Sequence, residues 1–111
     1  MRPSSVAKTL PADKNMTQLE RKAAEAVALL KLLANENRLL ILCRLAAAGE
    51  ASVGTLADAV ELSQSALSQH LGKMRDDGLV ATRRDGQTIY YRITDHDAGR
   101  LLALLKDIYC P

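Results

Sequence analysis

The sequence predicts a mainly α-helical domain of about five helices with one small β-hairpin. Three observations carry this. Leu, Ile, Val and Ala recur at i, i+3, i+4 and i+7 through most of the chain. The only aromatic residues are three tyrosines, so the core must be aliphatic, which suits helices. The Asp-Gly pair Asp85-Gly86 stands between two runs of alternating character, the strongest short signal for a hairpin. With 111 residues there is room for one core and little more.

Residues 1–16, "MRPSSVAKTLPADKNM", hold two prolines and no period, and are expected to be a disordered tail before a domain spanning 17–111. Thr17 is an N-cap candidate, with Glu20 three residues on completing a capping box. Leu19, Ala23, Ala26, Val27, Leu30 and Leu33 then mark a first helix to about Ala34. Asn35 caps a second, "ENRLLILCRLAAA", which stops at Gly49 and is apolar nearly all round, so it should lie centrally. Ser52 opens a short third helix, "VGTLADAV". After "ELS", Ser63 caps a fourth, "QSALSQHLGKMRDD", ended by Gly78. Two short helices joined by about three residues form a helix-turn-helix.

In "LVATRRDGQTIYYRI" a type I′ turn at Asp85-Gly86 would set Val80 opposite Tyr91, Thr82 opposite Ile89 and Arg83 opposite Thr88. A hairpin placed directly after a helix-turn-helix is a wing. Asp95 caps the last helix, whose Ala98, Leu101, Leu102, Leu105, Ile108 and Tyr109 form one stripe, widened by Leu104. That is more leucine than one side of a modest core needs, and a subunit interface is the expected use.

On the fourth helix Leu67, Leu71 and Met74 must point inward, leaving Gln64, Ser65, Ser68 and Gln69 exposed together on its first half. Such short hydroxyl and amide groups can approach base edges in a major groove. Lys73 and Arg75 suit phosphates further along the helix. Arg83, Arg84 and Gln87 at the wing suit phosphates or a minor groove. Each residue alone also fits a plain solvated surface; the order of the elements is what argues for double-stranded DNA. His70 can serve either the helix packing or the DNA backbone.

The net charge of +2 permits nucleic-acid binding only through a local patch. No run approaches the ~18 apolar residues of a membrane span, and no secretory signal is evident, so the expected location is cytoplasmic with no membrane partner. Two cysteines, Cys43 and Cys110, 67 positions apart, are too few for a disulfide scaffold, but a sensing bridge stays open. No Cys-x-x-Cys, βαβ pattern or Gly-rich loop supports an enzyme, although a thiol oxidoreductase is kept as the rival from another class.

The stretches "LANENRLLILCRL" and "GEASVGTLADAVELSQSALSQHLGKMRDDGLVATRRDGQTIYYRI" resemble the ArsR/SmtB family of winged helix-turn-helix repressors, most densely at "LSQSALSQHL", "DDGLV" and "RRDGQTIYYRI". The resemblance covers about Val27 to the C-terminus. It implies a homodimer paired through the first and last helices, bound to an inverted repeat in promoter DNA and released by an inducer.

Family metal sites do not carry over. Where a Cys-x-Cys pair would stand there are Ala51, Ser52, Val53 and Gly54. Asp95, His96 and Asp97 are followed by no partner ligands, the matching positions falling near Ile108 and Pro111. No metal and no cofactor are therefore expected, with a metal- or metalloid-responsive repressor as the alternative. The "LLILC" stretch with a second cysteine near the C-terminus is similar to the sulfide- and persulfide-responsive SqrR/BigR subgroup. That similarity implies reactive sulfur species as inducer, with Cys43 and Cys110 cross-linked as a disulfide or longer polysulfide.

Overall fold

The computed structural model describes residues 14–110. Helices α1 (Lys14–Arg21), α2 (Ala23–Leu33) and α3 (Glu36–Ala48) come first. A two-residue strand β1 (Ala51–Ser52), helices α4 (Val53–Val60) and α5 (Gln64–Asp76), strands β2 (Val80–Asp85) and β3 (Thr88–Ile93), and helix α6 (His96–Tyr109) follow. Six helices thus stand among the described residues where about five were expected, because the first predicted helix is broken at Lys22. That residue departs from helical dihedrals (φ −104°, ψ 13°), and its N–H is shared between the carbonyls of Gln18 and Leu19, each at 3.1 Å.

Two expectations at this end change. The tail predicted for 1–16 lies outside the described residues up to residue 13, and residues 14–16 are helical. "KNM" holds no Pro or Gly to stop a helix, so α1 starts upstream of Thr17, which sits within it and is not its N-cap.

The other N-caps are where the sequence puts them. Asn35 Oδ1 accepts from the Arg38 N–H (3.0 Å), Ser52 Oγ from Thr55 (3.3 Å), Ser63 Oγ from Ala66 (3.1 Å) and Asp95 Oδ1 from Ala98 (2.9 Å). Each satisfies one of the donors that a helix start leaves orphaned, worth about 1 kcal/mol. Gly49 closes α3 at φ 81°, a conformation that a side chain would strain.

The sheet is antiparallel with strand order β1-β3-β2. Its hairpin register corrects the sequence reading. Val80 pairs with Ile93, Thr82 with Tyr91, Arg83 with Tyr90, Arg84 with Ile89 and Asp85 with Thr88. The two-residue turn is therefore Gly86-Gln87, with positive φ at Gly86 (64°) and not at Gln87, the Gly-first arrangement of type II′ turns. Every partner moves by two positions, so each side chain keeps its predicted face. A period of two fixes the face but not the partner.

The core is aliphatic, and among the described residues no polar side chain is buried in it. Ile41, Leu42 and Leu45 of α3 meet Leu56 and Ala57 of α4, Leu67, Leu71 and Met74 of α5, Leu79, Val80, and Ala98 and Leu102 of α6. Burying each large member contributes about 1.5–3 kcal/mol. α3 is central as expected, although Leu40 remains 48% exposed. Outside the core Leu19, Val27 and Leu30 on α1 and α2, and Leu104, Ile108 and Tyr109 on α6, are all exposed.

Candidate nucleic-acid interface and thiol cleft

The α4–α5 turn begins at Glu61, whose left-handed backbone (φ 56°, ψ 40°) reverses the chain sharply enough for Ser63 to start α5. Leu67, Leu71 and Met74, none with any exposed area, pin one face of α5 to the core. The opposite face then has one possible orientation, outward. Gln64, Ser65, Ser68 and Gln69 all lie on it and are exposed, as are Lys73 and Arg75 further along; His70 is half-buried. Lys73 Nζ is also 3.6 Å from Oδ1 of the half-buried Asp77, and the exposed lysine end of that pairing is free to turn to a phosphate.

At the wing Arg84 and Gln87 are exposed, and their side chains hold no hydrogen bond or ion pair with another described residue. Arg83 differs from the expectation of a phosphate contact. Its Nε and Nη2 donate to Glu50 Oε2 and Oε1 at 2.8 and 2.7 Å, a bidentate pair. Its guanidinium carbon stands 4.6 Å from the centre of the Tyr90 ring. The hydrogen bond from Arg83, more than any other influence, holds the Glu50 carboxyl below its usual range, while Glu50 holds Arg83 up. Sequence reasoning missed Glu50 altogether. It lies 33 positions from Arg83, and no local spacing announces the pairing.

The second site is a cleft of about 1130 Å³ walled by α3 and α6. Leu39, Leu40, Leu105 and Tyr109 give it an apolar lining, and both Cys43 and Cys110 open into it. Neither cysteine is bonded; Cys43 is half-buried and Cys110 exposed. Cys110 caps α6, its N–H donating to the Lys106 carbonyl at 2.7 Å. Burial chiefly, and the neighbouring Cys110 secondarily, push the Cys43 thiol above its ordinary pKa. Two sulfurs far apart in sequence thus line one cavity.

Among the described residues no group of three or more His, Cys, Asp or Glu is placed to hold a metal ion, and no helix is long and apolar enough to cross a membrane. Asp95 is occupied in capping α6, and His96 is exposed in its first turn.

Comparison with known proteins gives a consistent picture. The family described as "Bacterial regulatory protein, arsR family" matches residues 35–82. The transcriptional activator HlyU of Vibrio cholerae is 49% identical over 96 residues, covering 86% of this chain and 88% of that protein. The biofilm growth-associated repressor of Agrobacterium fabrum is 44% identical over 92 residues, covering 83% and 78%. Among solved structures, the transcriptional regulator HlyU from Vibrio vulnificus superposes with a TM-score of 0.81 at 49% identity, over 86% of this chain and 99% of that one.

Proposed function

Because the chain belongs to the arsR family of bacterial transcriptional regulators, we propose that it is a homodimeric repressor of promoter DNA that lets go when reactive sulfur joins Cys43 to Cys110. Regulators of this family bind DNA and typically act as homodimers. The exposed apolar residues of α1, α2 and α6 supply a surface for the second copy. α5 is the element offered to the major groove through Gln64, Ser65, Ser68 and Gln69. Lys73, Arg84 and Gln87 are placed for the flanking backbone.

The observation that carries the sulfur reading is the shared cleft of Cys43 and Cys110. The exposed Cys110 meets the donor first. Its thiolate takes the outer sulfur of a hydropersulfide R–S–SH, forming Cys110–S–SH and releasing the thiolate RS⁻. Cys43, having lost its proton, attacks the Cys110 sulfur and expels hydrosulfide, leaving a disulfide. The two cysteine thiols give up two electrons between them, and the transferred sulfur accepts them on leaving as HS⁻. If a further sulfur is transferred before closure, the link retains it as a polysulfide. Either bridge ties α6 to α3, the helix that leads directly into β1 and α4. A bias of about 1–3 kcal/mol against the DNA-bound arrangement suffices for a 5–150-fold fall in affinity.

Intact-mass spectrometry of the reduced protein before and after a persulfide donor, paired with DNA binding, tests this. Loss of two hydrogens, or gain of bridging sulfur, should accompany release. Release by Zn(II), Cu(I) or As(III) with no such mass change would instead favour the metal-responsive alternative.

Two further expectations follow from the geometry. Gln64→Ala or Ser68→Ala should weaken operator binding by about 1–3 kcal/mol with little loss on random DNA. Arg84→Ala should weaken both and reduce the salt slope by about 1; equal losses in both assays for all three changes would count against this face. The closing step should also depend on pH. With Cys43 held above its ordinary value it is mostly protonated near neutrality, so its thiolate fraction grows about tenfold per pH unit until its pKa is reached. Bridge closure from a preformed Cys110 persulfide should accelerate accordingly between pH 7 and pH 8, and a flat profile would remove Cys43 from the attacking role.

A further inference from the structure

We infer that Glu50 and Arg83 are wing-positioning residues, a brace that sets the pose of the hairpin against α5, and that Arg83 does not contact phosphate. This rests on the DNA-binding reading above. The strand order puts β1 and β2 on opposite sides of β3. Arg83 lies on β2 directly opposite Tyr90 of β3, and Tyr90 in turn pairs with Ser52 of β1. Glu50 immediately precedes β1 and follows Gly49, the cap of α3.

The Arg83 side chain therefore crosses the sheet over the Tyr90 ring, from one edge to the root of the other. It links the hairpin to the joint between α3 and α4, adding a side-chain tie to the packing of β3 on those helices and to its two-residue pairing with β1. A forked bidentate contact fixes orientation as well as distance, which a point charge does not. The carboxylate also cancels the charge of Arg83. Since the salt-dependent part of DNA affinity comes from cations that displace counterions, a neutralised guanidinium contributes little to it.

The two roles predict opposite results. The probes are an operator duplex selected from random DNA by the reduced full-length protein, and an unrelated duplex of equal length. As a brace, Glu50→Gln weakens operator binding about tenfold, which corresponds to about 1.4 kcal/mol, even though it removes a negative charge near DNA. Arg83→Lys, which keeps the cation and loses the fork, weakens binding similarly. The salt slope stays at the wild-type value in both. The exchanged pair Glu50→Arg with Arg83→Glu regains affinity over either of its single changes.

As a phosphate contact, Glu50→Gln would bind DNA as well as the wild type or better, Arg83→Lys would be nearly silent, and the exchanged pair would lose a unit of salt slope. That pattern overturns the brace. Thermal melts identify any variant that fails to fold, and the exchanged pair then carries the decision. Wild-type protein that selects no DNA would defeat the DNA-binding reading itself, a result distinct from either pattern.

Discussion

Cys43→Ser protein is expected to stay on its operator after persulfide treatment, where the wild type falls by roughly 5–150-fold, the range of usual coupling energies. Serine is close to cysteine in size and cannot form a persulfide or accept a bridge. In the reduced state the substitution should leave operator affinity nearly unchanged, because Cys43 faces the α3–α6 cleft and not α5. Cys110→Ser should likewise block release by removing the thiol that meets the donor. The two variants differ in mass: with Cys110 present and Cys43 absent, the protein should gain sulfur without bridging. Measuring affinity by fluorescence anisotropy and mass on the same treated sample keeps the two readouts together. Release of Cys43→Ser protein to the wild-type extent would end the bridge mechanism and leave the DNA-binding assignment in place.

Leu71→Ala should cost about 2–5 kcal/mol of folding stability, the usual range for a fully buried leucine. Leu71 has no exposed area and sits between Leu67 and Met74, in the middle of the stripe that holds α5 to the core. Against a total of about 5–15 kcal/mol for a domain of this kind, the loss is large enough to read from the midpoint of a denaturant melt. Operator binding should fall with it, since the outward face of α5 is oriented only by its inward one. Leu104→Ala, on an exposed position of α6, is the internal control and should leave the monomer's fold intact. A Leu71→Ala loss below about 1 kcal/mol would mean that α5 is held by something other than this stripe.

How far the molecule could be read from its sequence depends on the range of each signal. The caps at Asn35, Ser52, Ser63 and Asp95 are local chemistry, decided within three residues, and all four were legible. So was the inward stripe of α5, because 3.6-residue periodicity is intrinsic to a helix. The hairpin turn was misplaced by one residue. Asp-Gly and Gly-Gln both satisfy the alternating pattern, and pairing along the whole ladder chose between them. Strand β1 could not be seen in two residues, since only its partner Tyr90-Tyr91 segment makes it a strand. Arg83 was read by charge alone, which says nothing about a carboxylate distant in the chain. The two thiols came together in the reading only through family resemblance. Periodicity relates neighbours within an element and is silent on which elements pack.

The position of β2 at the rim of the sheet has one more consequence. A rim strand presents unpaired N–H and C=O groups, an open template on which another chain can add a strand. Here the outer half of that rim carries Arg84 and Asp85, both exposed, and the opposite rim is only two residues long. An incoming strand would have to bury these charges or set like against like. The charged tip thereby also discourages the ordered stacking of copies that leads to fibrils.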